Sequence, residues 1–252
     1  LSELAKLFDP YDREAHLFPA ILMLSPVLLF VVVAYPSTFL GDLTNNTVVV
    51  VALLALAYVL SGWARAAGKS IEGRLFDSWD GPPTTTMLRH RDTSLDEVTK
   101  ARYHQNLTQI CLGICWPSAS EEAADPIAAD ATYASAVSAL RARRRGDNYA
   151  LLLKENASYG FRRNMYGLRF TAIGIALFVA TLALGSVIAQ IRSSQSSTNV
   201  FTTIADNPRF GLMALAAVTI AISWYCFVRP SWVRQAACDY SRALFNSLDL
   251  EI

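Results

Sequence analysis

The stretch FPAILMLSPVLLFVVVAYPSTFL, Phe18–Leu40, decides what kind of molecule this is, for it holds no Asp, Glu, Lys or Arg. A helix rising 1.5 Å per residue needs roughly 20 mostly apolar residues to cross about 30 Å of hydrocarbon. Phe18–Leu40 meets that length, and Thr47–Ala66 follows it after one short loop. A second pair, Leu168–Ala189 and Phe210–Val228, comes about a hundred polar and charged residues later. The chain therefore reads as an all-α membrane protein: four transmembrane helices in two pairs, a cytosolic helical insert and an amphipathic C-terminal helix. The expected divisions are 1–17 (an amphipathic N-terminal segment), 18–66, 67–167 (the insert), 168–228 and 229–252.

Hydrophobic residues make up 53% of the 252, and the excess lies in those four stretches. A net charge of +1 gives no bulk attraction to nucleic acid or to a membrane surface, so charge placement carries the information. Loop Pro36–Asn46 has no Lys or Arg, and loop Ile191–Arg209 has only Arg192 and Arg209 at its edges. The segment from Arg65 to Arg163 carries fourteen, and the tail has Arg229, Arg234 and Arg242. The positive-inside rule then places both termini and the insert in the cytoplasm of a multi-pass inner-membrane protein. Leu1–Leu17 is mixed, with no short apolar core before a small-x-small cleavage site, so the first span is expected to remain as an anchor. Cys111, Cys115, Cys226 and Cys238 form no regular framework and none falls on the outer side, which reads as reduced thiols.

Along the chain, Leu1, Leu4, Leu7 and Phe8 suggest a short surface helix that Asp9-Pro10 ends. Pro26 lies inside the first span, where it frees a carbonyl. Ile71–Asp77 extends the second span's helix. Adjacent prolines after Asp-Gly make Trp79–Thr86 non-helical. Ser94 and Glu97 fit a capping box, opening a helix to about Leu112. Asp125-Pro126 is an N-cap with proline at the first helical position, and the helix it opens should reach Arg144 and close at Gly146. Tyr149–Tyr166 leads into the third span. Trp232, Ala236, Tyr240, Leu244 and Leu248 recur every four residues, an amphipathic tail helix.

Arginines supply the first candidate site. Arg89, Arg91 and Arg102 surround the Pro/Thr loop, Arg141 and Arg143–Arg145 close the Asp125 helix, and Arg162, Arg163 and Arg169 precede or begin the third span. Guanidinium groups fork onto phosphates, and the interleaved Tyr103, Tyr159, Phe161 and Tyr166 offer faces on which bases stack. The same arginines equally serve as interfacial anchors or as cations at a helix C-terminus. The Thr84–Thr86 hydroxyls could cradle an anion, although the chain holds no phosphate-binding Gly-x4-Gly-Lys-Ser/Thr loop. His90, His104, Cys111 and Cys115 are spaced by fourteen, seven and four residues, which matches no common zinc finger, so neither metal nor cofactor is expected. The spans are nearly free of ionisable groups, and no His-Glu-x-x-His, Gly-x-Ser-x-Gly or nucleophile-plus-base pattern appears, so no enzyme is indicated. Small and weakly polar span residues such as Gly174, Thr181 and Gly185 suit close helix packing or a narrow pore shared among several subunits.

Three stretches carry a resemblance: Trp79-Asp-Gly-Pro-Pro-Thr-Thr-Thr-Met-Leu-Arg-His-Arg-Asp92, Ala101-Arg-Tyr-His-Gln105, and Asn156-x-Ser-Tyr-Gly-Phe-Arg-Arg-Asn164. Together they resemble a family of bacterial four-span membrane effectors of anti-phage defence, the channel-like partner of a nucleotidyltransferase in Hailong-type systems. The resemblance spans most of the insert. It implies an oligomeric membrane channel held closed by an oligonucleotide of the oligo-deoxyadenylate type, whose loss depolarises the cell and aborts infection. It implies ligand contacts at Arg89, Arg91, Arg102, His104, Arg162 and Arg163, with Tyr159 in the same stretch, and it leaves out Arg141–Arg145. Partners expected on this basis are the lipid bilayer, a cyclic nucleotide or oligonucleotide, and further copies of the chain, a tetramer first among the stoichiometries. The alternative from another class is a non-conducting membrane scaffold whose insert docks a protein partner through the tail and the Asp125 helix.

Overall fold

The computed structural model describes residues 9–35, 47–144, 146–193 and 208–251. Outside them lie the surface helix expected over Leu1–Phe8, the loop Pro36–Asn46, Arg145 and most of the loop Ile191–Arg209. Every regular element among the described residues is helical. Four helices are long and apolar enough to cross a membrane, within Pro10–Ala34, Val50–Thr86, Ala150–Arg192 and Arg209–Phe227. We label the helices α1 (Phe18–Ala34), α2 (Thr47–Ser78), α3 (Pro83–Thr86), α4 (Glu97–Ile110), α5 (Ala119–Ala124), α6 (Pro126–Arg143), α7 (Ala150–Ser193), α8 (Arg209–Phe227) and α9 (Pro230–Asn246).

The residues fall into two compact units. The first comprises Leu1–Ser70 and Arg163–Arg229, the second Ile71–Arg162 and Pro230–Ile252, so α2 and α7 contribute residues to both.

In the first unit, Asp9-Pro10 opens a helix where the sequence suggests an ending. The Asp9 carboxylate accepts from Tyr11 N at 2.8 Å, Pro10 takes the first helical position, and a π-helical stretch, Arg13–Leu17, leads into α1. Proline inside α1 is accommodated locally. Pro26 has no N–H for the carbonyl four residues back, Leu22, and the Ser25 hydroxyl donates to that oxygen at 2.8 Å instead. A small-residue core joins α7 and α8: Val179, Ala180 and Ala183 meet Met213, Ala214 and Ala217, with Val27, Phe30 and Val33 of α1 against them. Alanines at such crossings let helix backbones come close where lipid supplies no hydrophobic drive. In α2 only 6% of the most apolar window is buried, against 22–33% in the other three, so its apolar surface is the least covered of the four.

The second unit has a conventional core. Tyr133, Leu140, Leu88 and Leu107 are fully buried, and Leu244 and Phe245 of the tail helix α9 complete the same cluster. The apolar face of the tail is thus spent on this unit's interior. Asp125 caps α6 by accepting from Ala128 N at 3.0 Å, Pro126 follows at the first position, and Gly146 at φ +101° turns the chain beyond it. The cap of α4 is not Ser94. Ser94 is held by Asp92, and Asp96 caps the helix by accepting from Thr99 N at 2.8 Å. A full capping box occurs elsewhere, between Ser118 and Glu121 at the start of α5.

Candidate functional site

The second unit's concave surface is built around the turn that ends α2. Trp79 N and Gly81 N both donate to Phe76 O, at 3.0 and 2.8 Å, while Asp80 (φ +62°) and Gly81 (φ +120°) take left-handed backbone. Pro82 is extended and Pro83 begins α3, a single helical turn in a stretch the sequence reads as non-helical throughout. Proline at the first helical position forfeits no hydrogen bond, which is why the turn forms. Arg89 locks this arrangement. Its Nε and Nη2 bind Asp130 at 2.7 and 2.6 Å, and Nη1 and Nη2 reach Asp80 Oδ2 and Asp80 O at 2.6 and 2.7 Å. The Asp130 hydrogen bond, outweighing burial, and the charges of both carboxylates hold the guanidinium pKa above its ordinary value.

So fixed, Thr84 and Thr85 wall a cavity of about 310 Å³ together with Glu72, Asn156, Tyr159 and Tyr240. Arg141, from the last turn of α6, reaches in and donates from Nη2 to Thr84 Oγ1 at 3.0 Å. Its guanidinium carbon stands 5.7 Å from the centre of the Tyr240 ring. The Tyr159 and Tyr240 rings are near-parallel (17°) with centres 6.4 Å apart, and Tyr159 Oη donates to Glu72 Oε1 at 2.8 Å. A second cavity of about 260 Å³ shares Arg141, Asn156 and Tyr240 with the first and adds Arg144, Leu152, Leu153 and Leu244.

The seven residues singled out from the sequence do not converge. Arg89 is 4% exposed and fully engaged as described. Arg91 is half-exposed and pairs with Asp80 at 3.1 Å. Arg102, also half-exposed, pairs with Asp249 at 3.2 Å. His104 is buried, with Nε2 2.9 Å from Leu88 O and its ring stacked on Trp116 at 4.5 Å and 5°. Burial, foremost, lowers its pKa. Arg162 Nη1 donates to Trp232 O at 3.2 Å and lies over that indole. Arg163 is buried in the first unit, with Nε and Nη2 each 3.3 Å from Asn164 Oδ1. Tyr159 alone lines the cavity.

Missed from the sequence were two of the cavity's polar groups, Glu72 and Asn156, and the pairing of Thr84 with Arg141. Thr84 and Arg141 were both visible as candidates, but they are 57 residues apart and no local pattern links them. His90 and His104 stack edge to face rather than converging on cysteine, and among the described residues no three His, Cys, Asp or Glu side chains group as a metal site would require. Comparison with family models, with curated proteins and with solved structures gives no match.

Proposed function

We propose that this chain is a membrane effector of bacterial anti-phage defence: a homo-oligomeric ion channel whose cytosolic helical unit binds a nucleotide or oligonucleotide and so sets the conductance of its spans. The observation that carries this reading is the pair of adjoining cavities in the second unit, where a guanidinium, threonine hydroxyls and two tyrosine rings converge. Guanidinium with hydroxyl suits a phosphate, and an aromatic face suits a base.

Two features of the first unit support a pore formed by several copies. The spans are nearly devoid of ionisable side chains, so a single chain offers no aqueous path. The largely uncovered α2 leaves a helix for contact between copies or for lipid. The three stretches that resemble the defence family lie mostly in the second unit, where the cavities are. Because α2 and α7 supply residues to both units, a ligand-dependent change in the second has a covalent route to the spans. Ligand acts through its differential affinity for closed and open states.

The scaffold alternative relies on α6 and α9 as docking faces, and their apolar residues Tyr133, Val137, Leu140, Leu244 and Phe245 are taken up by the unit's own core. That favours the channel. Liposomes loaded with an ion-sensitive dye and carrying the purified chain test it. Dye response that changes when short oligonucleotides are added supports the proposal. Liposomes that stay tight under every condition, with the protein monomeric by light scattering, count against it.

A further inference from the structure

We propose that the two cavities together form a site for one dinucleotide step of a single-stranded oligonucleotide, its bridging phosphate on Arg141 and one nucleoside in each cavity. This rests on the nucleotide reading above and assigns the ligand contacts to residues outside the set implied by resemblance.

Arg141 is the natural phosphate contact because it borders both cavities and is not neutralised. Arg89, Arg91 and Arg102 each pair with a carboxylate, whereas none of the ion pairs among the described residues involves Arg141. Its hydrogen bond goes to the neutral Thr84 hydroxyl, which leaves further N–H donors of the guanidinium fork for an anion. Thr84, accepting from Arg141, still has its own O–H to donate to the same phosphate.

Charge fixes the layout. Glu72 lines only the first cavity, where a carboxylate repels phosphate but accepts from the exocyclic amino group of adenine, guanine or cytosine. The phosphate is thereby kept at Arg141. Arg144 lines only the second cavity, whose walls are Leu152, Leu153 and Leu244, apolar surface for the face of a second base beside a second cation. Tyr240, common to both, offers its ring at the junction. The volumes, about 310 and 260 Å³, each suit a nucleoside and neither suits a folded nucleic acid.

The test uses the full chain in detergent micelles and titration calorimetry with inorganic phosphate, adenosine, AMP, the dinucleoside monophosphate ApA, and UpU, which lacks exocyclic amino groups. ApA is expected to bind at least tenfold tighter than AMP or UpU, with adenosine and phosphate weaker still. Arg141→Ala should weaken ApA at least tenfold and Arg91→Ala less than twofold. Thr84→Val, which keeps the shape and removes the hydroxyl, should weaken ApA severalfold if Arg141→Ala proves unstable. ApA no tighter than AMP, or affinity indifferent to both Arg141 and Thr84, overturns the site. Oligonucleotide-dependent conductance that survives Arg141→Ala also overturns it while leaving the channel standing. Arg141-dependent ApA binding to a protein that never conducts upholds the site and removes the channel.

Discussion

Asn164 Nδ2 donates to Ala15 O at 2.7 Å, and Ala15 is the residue whose carbonyl Pro19, four positions on, has no N–H to reach. A side chain of α7 thus supplies the hydrogen bond that proline withholds from the first helix. Asn164 is fully buried, and the approach is close enough that glycine is required opposite it. A Cβ at Gly68 would run into the Asn164 amide, and one at Gly167 would stand 2.5 Å from the Ala67 backbone.

Asn164→Ala should therefore lower stability by about 1–3 kcal/mol, the cost of a buried carbonyl left unpaired. Gly68→Ala should destabilise as well, and the double variant should be less damaged than the sum of the two, because the two closest atoms, Asn164 Oδ1 and Cγ, are removed by Asn164→Ala while only its Cα, at 3.0 Å, remains. Gly167→Ala meets backbone and should gain nothing from Asn164→Ala. Thermal melts followed by tryptophan fluorescence in detergent distinguish these cases.

Arg89 should act as the lock of the α2–α3 turn. Arg89→Ala unpairs the partly exposed Asp130 and frees the left-handed Asp80, and a loss of about 1.5–3 kcal/mol is expected for hydrogen bonds between charged groups whose carboxylates reach solvent. Arg89→Lys should recover only part of it, since an ammonium cannot fork across two carboxylates. Urea denaturation measures both. Equal stability in all three proteins would mean that the turn holds without Arg89.

The tail helix should prove to be core and not a free membrane-binding segment. Phe245→Ala, at a fully buried position, is expected to cost about 3–5 kcal/mol and to open the second unit to limited proteolysis.

Acid should weaken the second unit in two steps. His104 has its pKa lowered, chiefly by burial. Between that value and the unfolded one, about 6.5, the unfolded chain binds more protons, so stability falls as pH drops below about 6.5. For Glu122, burial would raise the pKa, but hydrogen bonds from His90 N, Tyr133 Oη and Arg91 N together bring it below its ordinary value. Its contribution is present above the unfolded pKa, about 4.3, and is lost as pH falls through the folded one. His104→Gln should remove the first step and Glu122→Gln the second, read from melting temperature against pH.

The helices and many of their boundaries were legible because they rest on local chemistry: apolar runs, Asp125-Pro126 and Gly146. The α4 cap was misassigned because Asp92, Ser94 and Asp96 all qualify in sequence. Tertiary contact decides among them, with buried Lys100 donating to His90 O and Asp92 O. The site was less legible for the same reason. Arg89 falls in a stretch suggestive of a ligand loop, yet Asp130, 41 residues away, takes its guanidinium. Arg141 was open to two readings in sequence, a phosphate contact or the cation of a helix terminus, and only its meeting with Thr84 and Tyr240 in space sets it at the cavity.

The most direct test of the central claim is planar-bilayer recording of the purified chain with and without short oligonucleotides, for the parent and for Arg141→Ala. The expected result is discrete single-channel current whose open probability shifts with oligonucleotide in the parent and at least tenfold less sensitively in Arg141→Ala. A protein that inserts and binds oligonucleotide but passes no current in either state would contradict it.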